Sequence, residues 1–421
     1  MHHFQYKDNQ LYCEDVAVEK IAAKVGTPFY LYSAATLKRH FNAFDSGFEG
    51  INHLTCFAVK ACSNLSILHL FAGMGGGADI VSGGELFRAM KAGIDPSKII
   101  YSGVGKTEAE MREALFAGIL LFNVESAQEL DRLQKVAAEL GTSAPVSFRI
   151  NPDVDPKTHA YISTGLAKNK FGIPVGEALQ EYVRAQAMEN IEVLGVSCHI
   201  GSQLTRVEPF IEALRKIKIF VARLQAEGIG IKYLDLGGGV GITYDDEEPP
   251  HPHVYAEAVQ NEMQDMDCTL ILEPGRVIVG NAGILVTEVQ YTKVNYGGES
   301  QKRFIVVDAA MNDLTRPSLY GAFHEILPVH ETGRKKQEVD VVGPICETGD
   351  FLARDRLLPE ARQGELLAVM SAGAYGFTMS SNYNSRTRVA EVLVSGDQIY
   401  LIRRREDYDD LIRGESLVEI P

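Results

Sequence analysis

Cys56-Phe57-Ala58-Val59-Lys60-Ala61 is an apolar run of strand-forming residues that delivers a single lysine to its carboxyl end. An ammonium at the end of a buried strand has lost part of its hydration, which raises the fraction of neutral amine able to attack a carbonyl. Schiff-base chemistry suits such a lysine. From this stretch alone, a lysine that only extends into solvent is the other reading.

Around that stretch the chain has a regular rhythm. Apolar strand candidates at residues 53–60, 77–81, 98–102, 120–124, 145–150, 193–199, 231–236 and 269–273 alternate with helical segments. Three of those helices open on Ser82-x-x-Glu85, Thr107-x-x-Glu110 and Ser126-x-x-Glu129, the pattern of a capping box, and close on Gly93, Gly118 and Gly141. Eight strand–helix units predict an α/β fold built on a closed, TIM-like (β/α)8 barrel over residues 33–281, with a doubly wound open sheet as the alternative. Beyond Gly280 the alternation stops. Residues 284–294, 303–308, 338–342, 366–370, 388–394 and 398–403 are strand-like and separated by Gly, Asp and Pro turns, which predicts a mainly-β carboxyl-terminal domain. The opening strands have no partner in a barrel that begins near Ser33, so they are expected to join that sheet, giving a second domain of residues 1–32 and 282–421.

A chain of 421 residues is long for one domain and ample for two. Its 45% hydrophobic content and near-zero mean hydropathy describe an ordinary globular protein. A net charge of −15 argues against electrostatic binding to nucleic acid or to an anionic membrane. The cysteines at 13, 56, 62, 198, 268 and 346 show no Cys-x-x-Cys pairing, which points to reduced thiols in the cytoplasm rather than a disulfide framework or zinc site. The amino terminus has no apolar core for a signal peptide, and no run is long enough to span a bilayer. His2-His3 and His251-Pro252-His253 lack carboxylate or cysteine company at ligand spacing, so no metal is expected.

Two glycine motifs fail as nucleotide signatures. Gly103-Val104-Gly105-Lys106-Thr107 would need its leading glycine at Ile100, inside a strand. Gly237-Gly238-Gly239-Val240-Gly241 has Ile242 where a dinucleotide fingerprint has its third glycine. Directly after the seventh barrel strand, that glycine run is better read as a phosphate-holding loop. The strand ends then gather Lys60, Asp79, Arg149 with Asn151, His199, Asp235 and Glu273-Pro274-Gly275-Arg276. A nucleophilic lysine, a flat histidine, a phosphate loop and an inward glutamate suit pyridoxal 5'-phosphate: the lysine forms an imine, and the glutamate keeps the pyridine nitrogen protonated.

On these residues the chain resembles the diaminopimelate decarboxylases, within the alanine-racemase-like group of pyridoxal-phosphate decarboxylases that also contains ornithine and arginine decarboxylases. The resemblance runs through Phe57-Ala58-Val59-Lys60-Ala61, His199-Ile200-Gly201-Ser202-Gln203, Gly237-Gly238-Gly239, Glu273-Pro274-Gly275-Arg276, Gly343-Pro344-Ile345-Cys346-Glu347-Thr348 and Gly373-Ala374-Tyr375-Gly376. It implies that Lys60 carries the cofactor, His199 stacks on its ring and Glu273 holds its nitrogen. Gly238, Gly239, Gly275, Arg276 and Tyr375 would contact the phosphate or lie beside it, with Ser202 nearby. Cys346 matches the family's proton donor, which reaches a neighbouring subunit's site and so implies a homodimer with shared active sites. Arg276, Arg316, Tyr320, Glu347 and Tyr375 match its contacts to a small amino-acid substrate; arginines pair with carboxylates and a glutamate with an ammonium.

The implied reaction is decarboxylation of meso-2,6-diaminopimelate to L-lysine. Ornithine, arginine or carboxynorspermidine as substrate, and a catalytically silent regulatory relative, are the alternatives. The pair Cys346-Glu347, where ornithine enzymes of the group carry Cys-Asp, together with Arg316 tilts the reading towards a diacid. A racemase would place a tyrosine where this chain has the cysteine, and a cofactor-free aldolase would not need the phosphate loop. His159, Asp79, Arg149 and Asn151 are kept as residues that orient or wall the site, and residues 160–172 as a loop able to close over substrate.

Overall fold

The structure is a computed structural model that describes residues 2–154, 170–297 and 300–420, so His159 and most of the 160–172 loop lie outside the described residues. The chain divides into two compact units, residues 38–278 and residues 1–37 with 279–421. In the first, eight parallel strands follow in chain order: β1 (His53–Ala58), β2 (Gly77–Ile80), β3 (Ile99–Tyr101), β4 (Leu121–Val124), β5 (Ala144–Asn151), β6 (Ile191–Ser197), β7 (Tyr233–Asp235) and β8 (Thr269–Leu272). Each pairs with the next, and β8 pairs back to β1, so the sheet closes on itself and the open doubly wound alternative falls. Strands β2 and β4 are buried along their whole length, as strands covered on both faces must be.

The barrel interior is graded. Cys56, Ile100, Leu121, Leu194 and Ile271 form one apolar cluster inside it. Side chains repeat with period two along a strand, so the next inward positions after Ile100, Leu121 and Ile271 are Ser102, Asn123 and Glu273. Those polar residues do meet: Ser102 Oγ donates to Glu273 Oε1 at 3.3 Å, and Asn123 Nδ2 donates to Asp235 Oδ2 at 2.8 Å. A polar layer therefore sits on an apolar floor, at the carboxyl end of the strands.

Helix starts depart from the expected boxes in an informative way. Thr107 and Glu110 make the full reciprocal capping box. Ser82 and Ser126 also accept from the backbone N–H three residues on, but Glu85 and Glu129 reach one residue further back, to the N–H of Val81 and Glu125. The Glu129 carboxylate also accepts from Lys106 Nζ at 2.8 Å. Lys106 is 1% exposed at its side chain and donates in addition to the carbonyls of Gly103 and Asn123, each at 2.8 Å. The lysine of the discarded nucleotide motif is thus a structural bolt between the strand ends of β3 and β4 and the helix Ala127–Leu140.

In the second unit, Gly283–Gly297 is the hub. Its later half pairs with Ser300–Val307, which leads on to Lys336–Val342 and the edge strand Phe351–Pro359. Its earlier half pairs with Leu366–Val369 and with Phe29–Ser33, and the latter joins Ala390–Ser395 and Gln398–Arg403. Of the opening strands only Phe29–Ser33, buried at all five positions, enters this sheet. Phe4–Lys7, Gln10–Cys13 and Val16–Ala17 instead form their own three-stranded sheet, a correction to the expectation. It is fastened by Leu11 N–H to the Val329 carbonyl at 2.8 Å and by a shared apolar core of Leu11, Val18, Ile21, Leu31, Val286 and Val392. The strands Ile326–Pro328 and Phe351–Pro359 were not anticipated; Arg354-Asp355-Arg356 breaks the apolar pattern of the second because it is a sheet edge.

Removing one partner of a buried ion pair strands the other. Lys106→Ala is accordingly expected to destabilise the protein by about 3–5 kcal/mol, measured as a fall in the denaturant midpoint; a shift below about 1 kcal/mol would assign the Lys106–Glu129 pair no structural role.

Candidate active site

Lys60 lies two residues past the end of β1, in the one-turn 3-10 helix Val59–Ala61, rather than on the strand itself. Its Nζ is 2.6 Å from Asp79 Oδ2, whose side chain is fully buried at the end of β2. Lys60 therefore enters the site as half of an ion pair and not as the isolated strand-end ammonium that the sequence suggested. Asp79 Oδ1, also buried, has no hydrogen-bond partner among the described residues.

Two further carboxyls occupy the same layer. Asp235 accepts from Asn123 Nδ2 and from the Gly237 N–H, each at 2.8 Å, and burial pushes its pKa up to about 6. Glu273 is raised well above the carboxylate range, first by desolvation and then by the charges of Asp235 and Asp79. Both partners are buried, and Glu273 is the one that keeps a proton, which the Asp235 carboxylate accepts. Ser102 fixes the other side of Glu273 and is itself held by Asn123 Nδ2 at 3.1 Å, while Ser147 Oγ donates to Asn123 Oδ1.

His199 follows β6. Its Nδ1 accepts from the Gly238 N–H at 3.1 Å, which places the ring proton on Nε2. Burial, then the charges of Arg149 and Lys60, hold its pKa well below 6.5, so the ring is neutral. Arg149, at the end of β5, donates to Glu125 at 3.1 Å and to the His199 carbonyl at 3.4 Å, and stacks on Phe171 at 4.6 Å. Glu125 also accepts from Gly172 N–H at 2.8 Å. Arg149 thus orients the backbone that carries His199, while Asn151 accepts from the Asp153 N–H at 3.0 Å and shapes the turn after β5.

On the far side, Arg276 is buried and donates to Ser202 Oγ at 2.9 Å and to Tyr244 OH at 2.7 Å. The glycine run folds tightly against Glu273. A Cβ on Gly238 would stand 2.1 Å from the Glu273 carbonyl oxygen, and Gly239, at φ +122°, would meet the Gly201 carbonyl at 2.4 Å. Gly275 packs against Ala58 and Ala61, on either side of the lysine turn. These residues fit a phosphate-bearing pyridine: a lysine for the carbonyl, a protonated glutamate for the ring nitrogen, a neutral flat imidazole, and a glycine loop with Ser202 and Arg276 for the anion.

The remaining expected residues are in the β unit. Arg316 opens the helix Arg316–Tyr320 and is buried, its Nη1 donating to His324 Nε2 at 2.8 Å; His324 Nδ1 in turn donates to the Met370 carbonyl at 2.8 Å. Ser318 on the same helix donates to the Gly349 carbonyl at 2.6 Å, tying the helix to the loop that bears Cys346 and Glu347. Asp350 closes that loop by accepting from the N–H groups of Met311 and Ile345, each at 2.7 Å. Cys346 is exposed, whereas Cys56, Cys62 and Cys198 are buried, and burial pushes the Cys198 thiol up to about 12. Tyr375 sits at φ +55° in the turn after Leu366–Val369. In the barrel unit Lys60, His199, Ser202, Glu273, Arg276 and the glycine run share the carboxyl ends of the strands, and in the β unit the helix that bears Arg316 and Tyr320 is bonded to the loop that bears Cys346 and Glu347. Ser102, Asn123, Glu125, Tyr244, His324 and Asp350 were missed. For Ser102 and Asn123 a signal existed: they lie two residues beyond an inward apolar position.

Among the described residues no group of three His, Cys, Asp or Glu side chains could hold a metal ion, and no helix is long and apolar enough to cross a membrane.

A closed barrel whose strand ends gather a lysine, a protonated glutamate and a tight glycine run fits the class of pyridoxal-dependent enzymes, and residues 34–280 match the family model "Pyridoxal-dependent decarboxylase, pyridoxal binding domain". The diaminopimelate decarboxylase of Pseudomonas aeruginosa is 54% identical over 415 residues, 99% of each chain, and that of Vibrio cholerae 53% over 420 residues, covering 99% of this chain and 100% of the other. The crystal structure of diaminopimelate decarboxylase from M. jannaschii in co-complex with L-lysine superposes with a TM-score of 0.93 at 40% identity, covering 99% of each chain. This chain belongs to the diaminopimelate decarboxylases, a family of pyridoxal-dependent carboxy-lyases.

A histidine held neutral in the fold but free to protonate when unfolded gives the unfolded state the greater proton affinity below 6.5, so stability falls as pH drops through that value. In apoprotein, His199→Gln is expected to flatten the decline in urea midpoint between about pH 7 and about pH 5; an unchanged slope would mean that the native ring is charged.

Proposed function

We propose that this chain converts meso-2,6-diaminopimelate to L-lysine and carbon dioxide, the last step of lysine biosynthesis, acting in the cytoplasm as a homodimer with shared active sites. The observation that carries the reading is the polar layer of the barrel, where Lys60, Asp79, Asp235 and Glu273 supply one amine and one retained proton at fixed places. The full-length relatives of the same family support the substrate.

Bound pyridoxal phosphate supplies an electron sink for the bond between the α-carbon and its carboxylate. Lys60 Nζ would hold the cofactor through its carbonyl carbon, with Asp79 keeping the lysine in reach. Glu273, which retains a proton in this layer, would hold the ring nitrogen, and the charge of the Asp235 carboxylate beside it opposes its ionisation. His199, as a neutral imidazole, would stack on the ring and bring no competing cation to it. Ser202, Arg276, the amides of Gly238, Gly239 and Gly275, and Tyr375 serve the phosphate and its surroundings.

The β unit serves the substrate's far end and the last proton transfer. Arg316, already oriented by His324, pairs with the distal carboxylate; Arg276, Tyr320 and Tyr375 match the family's further substrate contacts. Glu347 takes the distal ammonium. The Cys346 thiol delivers a proton to the carbon that has lost its carboxylate; being exposed on its own chain, it is available to a neighbouring subunit's barrel. A diacid with an amine at each end uses both charges of the Arg316–Glu347 set, whereas ornithine and arginine lack the second carboxylate.

Carbon dioxide release by protein supplied with pyridoxal phosphate is expected from meso-diaminopimelate and not from ornithine, arginine or carboxynorspermidine; release from one of those instead would overturn the roles of Arg316 and Glu347. Borohydride reduction is expected to fix the cofactor mass on the Lys60 peptide and to fix none in Lys60→Ala. Cys346→Ala should keep cofactor affinity while turnover falls by about 10²–10⁴, the range of a lost general acid.

A further inference from the structure

The loop that carries Cys346 is gripped at consecutive backbone groups. Asp350 Oδ2 accepts the Ile345 N–H at 2.7 Å, and Asn384 Oδ1 accepts the Cys346 N–H at 2.8 Å. Asp350 belongs to the loop itself, whereas Asn384 comes from a separate turn after Phe377–Met379. That turn is built as a platform. Asn382 Nδ2 donates to the Arg386 carbonyl at 3.0 Å and to Glu406 at 2.7 Å, the Ser381 N–H donates to the Asn312 carbonyl at 2.9 Å, and Arg386 Nη2 donates to the Asp308 carbonyl at 3.0 Å.

Asn384 itself is in the left-handed region at φ +55°, ψ +28°, and Ser385 follows it at φ +54°. Two successive non-glycine residues there carry a conformational cost that the surrounding bonds must hold. Asparagine is among the few side chains that tolerate this backbone and also bring an acceptor. Glycine would suit the backbone better. What glycine lacks is the Oδ1 that reaches Cys346. Next to it, Tyr383 faces Glu347, whose carboxylate raises the phenol's pKa, so the same turn addresses both functional residues of the loop.

We propose that Asn384 is a positioning residue for the Cys346 thiol: its amide oxygen fixes the backbone from which the thiol projects. This role rests on the reading of Cys346 as proton donor, and two variants separate the acceptor from the backbone shape. Asn384→Gly keeps the left-handed turn and removes the acceptor; Asn384→Asp keeps both an acceptor and tolerance of the turn.

Hydrogen exchange of the peptide spanning residues 343–350 tests the grip without reference to activity. The Cys346 amide is expected to exchange about tenfold faster in Asn384→Gly, the factor that one hydrogen bond of ordinary net strength carries, and at the wild-type rate in Asn384→Asp. In turnover of the holoenzyme with meso-diaminopimelate, Asn384→Gly should lower kcat by about tenfold with KM within about twofold, because a displaced acid slows the proton transfer and not binding; Asn384→Asp should restore most of kcat. Unchanged exchange in Asn384→Gly, or an Asn384→Asp variant that matches Asn384→Gly in both exchange and kcat, would overturn the proposal. Cys346→Ala run beside them isolates the other premise. If it turns over at the wild-type rate, the reading of Cys346 as acid fails, while the exchange data still report on the grip.

Discussion

One ammonium faces three buried carboxyls in the barrel: Lys60 against Asp79, Asp235 and Glu273. A low-dielectric interior cannot hold three anions around one cation, so a proton must remain somewhere in the set. The bonding pattern decides where. Asp79 is bonded to Lys60 Nζ at 2.6 Å, and Asp235 is stabilised as an acceptor by Asn123 and the Gly237 amide. Glu273 has only a serine hydroxyl and its carboxylate neighbours, and it takes the proton. The rest of the barrel serves this arrangement: strand register sets the heights of Asp79, Asp235 and Glu273, the turn Val59–Ala61 brings Lys60 to them, and the apolar floor beneath excludes the water that would relax the charges.

The two units position their side chains by different means. In the barrel, placement follows from period-two alternation on strands whose register is fixed by closure, so a residue's height is set by its count along the strand. In the β unit the functional residues lie on turns and a single-turn helix, and side-chain bonds to backbone fix them instead: Ser318 to Gly349, Asp350 to Ile345 and Met311, Asn384 to Cys346. The cofactor side of the barrel is therefore rigid, whereas the geometry of the β unit's functional residues depends on a few replaceable polar groups.

The barrel was legible because alternation, helix-start serines and C-terminal glycines repeat at regular intervals, and each repeat corrects misreading of another. Lys60, His199, Glu273 and the glycine run fell at strand ends and could be read from position. Asn123 and Ser102 passed unnoticed because polar residues in short strands look like ends rather than interior. The two missed β strands share one cause, since an edge strand with Arg354-Asp355-Arg356 and a three-residue strand ending in proline carry little apolar periodicity. The expected sheet partners of the first residues were half right: Phe29–Ser33 is wholly apolar except at its end and is buried centrally, whereas Gln10–Cys13 alternates, and a short alternating hairpin can satisfy itself locally. Asn384 was beyond reach, because nothing in Asn-Tyr-Asn-Ser marks which amide turns back to meet a loop 38 residues earlier.

Phe29–Ser33 sits between Gly283–Gly297 and Ala390–Ser395, so this strand is hydrogen-bonded on both sides by segments made about 250 and about 360 residues after it. At about 5–20 residues per second, the ribosome delivers the second of those partners only after an interval on the order of tens of seconds. Until Gly283–Gly297 is made the five apolar-rich residues have an unpaired edge on each side, and until Ala390–Ser395 is made they keep one, whereas the barrel strands, contiguous in the chain, find their partners earlier. The barrel can finish first. The unit that carries Cys346 is then completed after the barrel, around a strand that waits while about 360 further residues are made, and the nascent chain's exposure to mispairing is concentrated there.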